Sequence, residues 1–277
     1  FRRVLFRSLA EGPMNGHMGI AYLDGIHPSL VWEAKNRTGD TNFNDMTTTW
    51  DWKNGTLVQR WQFISDQQGK TCPTGHQIRI ADVDGDGKDE VINGSSAIND
   101  DGKPLWTYGM GHGDALHMTD MDLDRPGQEI WINLESPSNY TPLGLRQYDA
   151  KTGQTNWGIP TGTDDVGRSM AADLDPNYKG YEMWGSSGGN VYDAKGNSIS
   201  TSVPSYNFGI WWDGDLGREL LDGNIMDKWN PVTKSLNRLF TIYQAAPVSS
   251  NNDSKKNPAL TADIFGDWRE EIILRRS

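Results

Sequence analysis

The chain has 277 residues, room for one large domain or two ordinary ones, with 35 % hydrophobic residues, 31 glycines and 12 tryptophans. A net charge of −11 excludes a nucleic-acid footprint, which needs a basic surface, and the lone cysteine, Cys72, excludes an intrachain disulfide. No apolar run of about 18 residues is present to cross a membrane as a helix, and no long helical period is seen.

Many glycines with many aromatics suit short strands joined by tight turns, so the expected class is all-β. In chain order, Phe1–Ser8 (FRRVLFRS) is basic and unlike the rest of the chain. Residues 1–13 are expected to be an extraneous stub, and 14–277 one partial catalytic domain. The opening at Phe1 and the strand-like close at Ser277 read as a fragment whose signal peptide is missing, from a secreted protein. Strand-like sequence at about 17 to 65 is followed by Gln77–Ala81 and the first of five acidic loops, Asp82-Val83-Asp84-Gly85-Asp86-Gly87 with Glu90. The plan recurs as Asp122/Asp124/Glu129, Asp173/Asp175/Glu182, Asp213/Asp215/Glu219 and Asp263/Asp267/Glu271, each Glu opening another strand-like run. Turns are expected at Asp100–Lys103, Asp149–Gly153 and Asp193–Gly196. The first aspartates lie 40, 51, 40 and 50 residues apart, the period of a four-stranded propeller blade, which predicts a β-propeller with five to six blades present.

The loops point to calcium, a hard cation that takes six to eight oxygens. In the first copy Asp82, Asp84, Asp86 and Glu90 offer them, and Gly87 permits the sharp turn. An EF-hand is excluded, because its twelfth position would be Asn93 and strands flank the loop. The bland alternative is a solvated Asp-rich turn, which weighs most on the Asp213 and Asp263 copies with their less regular spacing. A divalent ion in each of five loops would bring ten positive charges against the −11, and would let an acidic protein grip an anion.

Several strings resemble the family 11 polysaccharide lyases, the bacterial rhamnogalacturonan lyases: Ala81–Glu90 (ADVDGDGKDE), Gly111–His117 (GHGDALH), Gly167–Asp173 (GRSMAAD), Asn207–Leu216 (NFGIWWDGDL), Arg218–Gly223 and Gly266–Glu271. The resemblance implies an eight-bladed propeller with several Ca²⁺ ions, an enzyme that cleaves rhamnogalacturonan I between rhamnose and galacturonic acid by β-elimination. It also implies that His76, His112, Asp114 and Glu135 surround the cleft and hold or flank a substrate-bridging calcium. By donor chemistry alone, two imidazoles suit zinc or another transition metal better. The histidines could instead hydrogen-bond the substrate. Arg168 and Lys255 match the two cleft cations, one to take the C5 proton and one to steady the carboxylate, in an undecided order, with Lys256 a rival for the loop position. The plain alternatives are an ion pair of Arg168 with Asp164 or Asp165, and a solvated Lys255.

Most tryptophans, Trp131 and Trp184 among them, are expected to fill space between blades. Trp211 and Trp212, adjacent on a strand, would face opposite sides. His17, His27 and His117 read as structural. The partner expected is an acidic polysaccharide, cut endo by a monomer, with neither nucleic acid nor membrane. A non-catalytic calcium-loop propeller that binds a glycan or protein would lack the His76/His112/Asp114/Glu135 set, and a hydrolase would need two carboxylates across the cleft.

Overall fold

The computed structural model describes residues 15–37, 43–68, 74–94, 96–107, 112–135, 142–162 and 165–276. The stub expected at 1–13, Cys72, Gly111 and Asp164 lie outside them. The chain divides into two compact units, residues 1–120 with 126–167, and residues 121–125 with 168–277.

The first unit carries three antiparallel four-stranded sheets. These are β1 (Asn15–Ala21), β2 (Ser29–Arg37), β3 (Phe43–Lys53) and β4 (Thr56–Ile64); β5 (Thr74–Ala81), β6 (Glu90–Gly94), β7 (Ser96–Ile98) and β8 (Pro104–Thr107); and β9 (Leu116–Thr119), β10 (Glu129–Asn133), β11 (Leu143–Asp149) and β12 (Thr155–Pro160). The second unit carries two more, β13 (Ser169–Ala172), β14 (Glu182–Gly185), β15 (Val191–Tyr192) and β16 (Ser198–Ser200), then β17 (Phe208–Ile210), β18 (Glu219–Asp222), β19 (Ile225–Asn230) and β20 (Ser235–Thr241). A one-turn helix α1 (Ile242–Ala245) leads to two short ladders. In them β21 (Val248–Ser249) pairs with β24 (Arg275–Arg276), and β22 (Leu260–Ala262) with β23 (Glu271–Ile273).

Each sheet is a meander, because neighbours in sequence are joined by turns too short for anything but antiparallel pairing. Between β3 and β4 the turn is Asn54-Gly55, both at positive φ (50° and 80°), the hairpin turn that matches strand twist. The expected turns at 100–103, 149–153 and 193–196 fall between β7 and β8, β11 and β12, and β15 and β16. Apolar residues of adjacent sheets then close over one another. Val31 and Phe63 of the first sheet pack with Val91 and Ile98 of the second. Ile92 and Trp106 of the second pack with Leu116, Ile130 and Tyr148 of the third. In the second unit Met170 and Trp184 meet Leu220 and Trp229. Trp131 and Trp184 have no exposed surface, as expected for space-fillers.

The all-β class holds, but the propeller expectation, five to six blades of an eight-bladed ring, is corrected. Among the described residues the strands form separate, open four-stranded sheets, and none closes into a barrel. The 40- to 50-residue period measured the length of one meander. Period carries no information about closure, which depends on how sheets are disposed in space, and so it could not support a ring. Among the described residues no helix is long and apolar enough to cross a membrane.

Candidate functional site

His76, His112, Asp114 and Glu135 come together in the first unit, with ligand atoms all within 4.8 Å of one another. Three segments deliver them. His76 is the third residue of β5, His112 and Asp114 precede β9, and Glu135 follows β10. Backbone hydrogen bonds pin the segments together: His76 N–H donates to the Gly113 carbonyl at 3.1 Å, and Glu135 N–H to the His112 carbonyl at 2.7 Å. The Asn133 side chain accepts the Ala115 N–H at 2.9 Å. Gly113 is a close-approach glycine, since a Cβ there would lie 2.3 Å from the Asn133 carbonyl oxygen.

His112 and Asp114 are buried, whereas the His76 side chain is 43 % exposed. The Asp114 carboxylate lies 3.3 Å from His76 Nε2 and 3.8 Å from His112 Nε2, and the two rings meet edge to face at 4.6 Å. Two imidazoles and two carboxylates aimed at one point, one imidazole open to solvent, form a set able to hold a cation and present it to a ligand. Sequence reasoning missed its support. Lys35, buried on β2, donates from Nζ to the Gly75 carbonyl at 2.7 Å, one residue from His76. The available signal was phase, because Lys35 falls in step with buried Val31 and Glu33.

The first acidic loop lies at the far end of the strand that carries His76. On β5, His76 stands near the start and Asp82 follows the end, so about 20 Å of strand separates them at roughly 3.3 Å per residue. That exceeds the screening length of about 8 Å in physiological salt. Exposed charge in the Asp82 loop is therefore largely screened from charge beside His76. Likewise Arg168 precedes β13 and Asp173 follows it.

A common device builds these loops. Asp82 accepts the backbone N–H groups of Gly85, Asp86 and Gly87, and Asp263 those of Gly266, Asp267 and Trp268. Gly87 at φ 88° corresponds to Trp268 at φ 75°, a left-handed position where indole replaces glycine. The Glu that opens the next strand reaches back with Oε2. Glu90 accepts from Val83, Glu182 from Leu174 and Asp175, Glu219 from Trp212 and Asp213, and Glu271 from Ile264 and Phe265. Among the described residues the second oxygen, Oε1, of Glu90 and of Glu182 is buried with no hydrogen-bond partner. Burial pushes these carboxyls up, Glu90 to about 7 and Glu182 to about 8, against the pull of the backbone N–H groups. Asp82, Asp84 and Asp86 converge, and so do Asp213, Asp215 and Glu219. In the second and third copies, Asp124 pairs with Lys179 and, at 2.5 Å, Lys195, while Asp175 pairs with Lys234 at 2.7 Å. Asp122, Glu129 and Asp173 join no converging set among the described residues.

In the second unit Arg168 is buried, with its guanidinium 5.9 Å from the Phe208 ring centre. Among the described residues its Nε has no hydrogen-bond partner, and burial lowers its pKa. Lys255 is half-buried in the turn after β21, and burial draws its pKa down as well. Its N–H caps onto Asn252 Oδ1 at 2.7 Å, while Lys256, at φ 54°, lies against Gly223. Trp212 packs with the Ile210 cluster, and Trp211 instead carries the Arg218 guanidinium at 4.3 Å. His17 and His27 are tied to Glu33 and Asp24 at 2.6 and 2.9 Å.

An array of meanders with acidic inter-strand loops and a converging His/His/Asp/Glu set defines a class, and comparison with known proteins places it. Residues 16–277 match the model for the C-terminal domain of rhamnogalacturonan lyase family 11, and the chain belongs to that family. It is 45 % identical over 265 residues to rhamnogalacturonan endolyase YesW of Bacillus subtilis, covering 93 % of this chain and 40 % of the relative. It is 46 % identical over 276 residues to rhamnogalacturonan exolyase YesX of the same organism, covering 93 % and 43 %. The solved structure of a Bacillus licheniformis rhamnogalacturonan lyase superimposes with a TM-score of 0.86 at 41 % identity, over 100 % of this chain and 46 % of that one. The chain thus spans less than half the length of the relatives it matches.

Proposed function

We propose that the intact protein is a secreted, endo-acting rhamnogalacturonan lyase that cleaves the rhamnose–galacturonate backbone of pectin by β-elimination. The observation that carries this reading is 45–46 % identity to two named lyases across 93 % of the chain. The reaction removes the C5 proton of galacturonate. The C–H electron pair becomes the C4=C5 double bond, and the C4 oxygen departs with the rhamnose and takes up a proton. The difficulty is the second negative charge that builds on the C6 carboxylate. Lys255 suits the base, because burial depresses its pKa and leaves more neutral amine to accept the proton. Arg168 suits the carboxylate, because guanidinium keeps its charge and its Nε is buried among the described residues without a protein acceptor.

The fit of calcium differs between sites. In the first loop Asp82, Asp84 and Asp86 converge, and among the described residues Glu90 Oε1 and Asn99 Oδ1 are buried acceptors without donors, oxygens that fit a hard cation. We assign that loop a structural Ca²⁺. His76, His112, Asp114 and Glu135 are proposed to hold the substrate-side calcium, an assignment that rests on family membership, since their nitrogens alone suit zinc. A cation held there supplies positive charge to the uronate carboxylate.

The test is the ultraviolet absorbance of the unsaturated uronate product on rhamnogalacturonan I, after EDTA and after return of calcium or zinc. Recovery with calcium, with fast viscosity loss, supports the reading. Binding without absorbance would favour the non-catalytic alternative. Full activity of both Arg168→Ala and Lys255→Ala would remove the catalytic assignment.

A further inference from the structure

The Asp213 loop departs from the others at the position where a metal would be expected. Asp213, Asp215 and Glu219 converge as Asp82, Asp84 and Asp86 do, but the Lys228 ammonium stands among them. Its Nζ lies 2.8 Å from both Asp213 oxygens, 2.7 Å from Asp215 Oδ1 and 2.5 Å from Glu219 Oε1, with the Gly217 carbonyl at 3.4 Å.

The Glu219 contact is the telling one. In the first and third copies the glutamate Oε1 is buried and without a partner, whereas here the same oxygen receives the ammonium. Strand register explains the difference. Lys228 on β19 pairs directly with Glu219 on β18, so the two side chains share a face. The residue facing Glu129 is Asp149. Glu182 and Glu90 lie one residue outside their ladders, which pair Met183 with Tyr192 and Val91 with Ile98. Glu129 is thus set against an acid, whereas Glu219 is set against the lysine that supplies the cation.

We infer that the Asp213–Glu219 loop binds no metal, and that Lys228 is a covalently supplied cation standing where the first loop is read to hold calcium. Three ammonium protons meet three carboxylates, so each carboxylate has a charge-assisted donor within the chain and the ammonium stands at the point where the three converge. Burial works against the ammonium, but the three carboxylates outweigh it and hold Lys228 above its ordinary range. A calcium ion entering this loop would have to expel that ammonium. The assignment of Asp213, Asp215 and Glu219 as calcium ligands is replaced accordingly.

The contrast rests on the calcium reading of the first loop, and the experiment separates the two. Chelator-stripped protein is dialysed to equilibrium against calcium, and bound ions per chain are counted for the parent, Asp84→Asn, Asp215→Asn and Lys228→Gln, the last purified in calcium. We expect Asp84→Asn to lose one ion, Asp215→Asn to lose none, and Lys228→Gln to gain one. Loss of an ion in Asp215→Asn overturns the inference, as does an unchanged count in Lys228→Gln. If Asp84→Asn loses nothing, the calcium reading of the first loop fails by itself, and the gain or its absence in Lys228→Gln judges the lysine.

Discussion

Gly113→Ala probes how tightly the His76–Glu135 set is built. The new Cβ would sit 2.3 Å from the Asn133 carbonyl oxygen and 3.0 Å from two Ile132 carbons, where ordinary contact begins at 3.4 Å. Relief needs a displacement of about 1 Å between the His112–Asp114 segment and β10, which moves His112 and Asp114 relative to Glu135. Misplacement of that size costs on the order of 100-fold in rate, about 2.7 kcal/mol of barrier. Overpacking costs about 1–3 kcal/mol of stability. Gly55→Ala is the control. Gly55 sits at φ 80° with nothing within 4 Å, so its methyl strains only a distant hairpin, by about 1–2 kcal/mol. The assay is kcat/KM on rhamnogalacturonan I beside urea denaturation. Loss of activity in Gly113→Ala with near-parental activity in Gly55→Ala is expected. Full activity in Gly113→Ala, or equal losses in both, would show that the His112–Asp114 segment need not be held this closely to β10.

Three further outcomes are expected. EDTA should lower the melting temperature, with calcium at hundredfold excess over Kd restoring about 2.7 kcal/mol per site, and Glu90→Gln should shrink that response in a thermal scan. Asp45 is fully buried, so desolvation and then the charge of Glu33 hold its carboxyl well above the usual range, partly offset by Thr47, Asn93 and Lys35. The folded chain keeps a proton that the unfolded chain releases near pH 4, so stability falls as pH rises above that, by at most about 1.4 kcal/mol per pH unit; Asp45→Asn should flatten this slope in urea melts at about pH 5 and pH 8. Trp184→Ala, emptying a site with no exposed surface, should cost about 3–5 kcal/mol by denaturant titration.

The strands and turns were legible because their signals are local. Gly102, Gly153 and Gly196 adopt the positive φ that their turn strings demand, and each loop Glu begins a strand at β6, β10, β14, β18 or β23. The disposition of the sheets was not legible, since a period counts residues and not angles. Lys228 was hidden for a related reason, because only the β18–β19 register sets it against Glu219. Lys35 was overlooked because lysine is rarely buried. His76, His112, Asp114 and Glu135 were found through family resemblance, as their spacing spreads over 60 residues and no local pattern binds them.

The most direct test of the account concerns the fate of solvent oxygen. Rhamnogalacturonan I digested by the intact protein in ¹⁸O-labelled water should yield unsaturated oligosaccharides whose new ends carry no label, because elimination adds no water across the broken bond. Labelled, saturated products would show hydrolysis and contradict it.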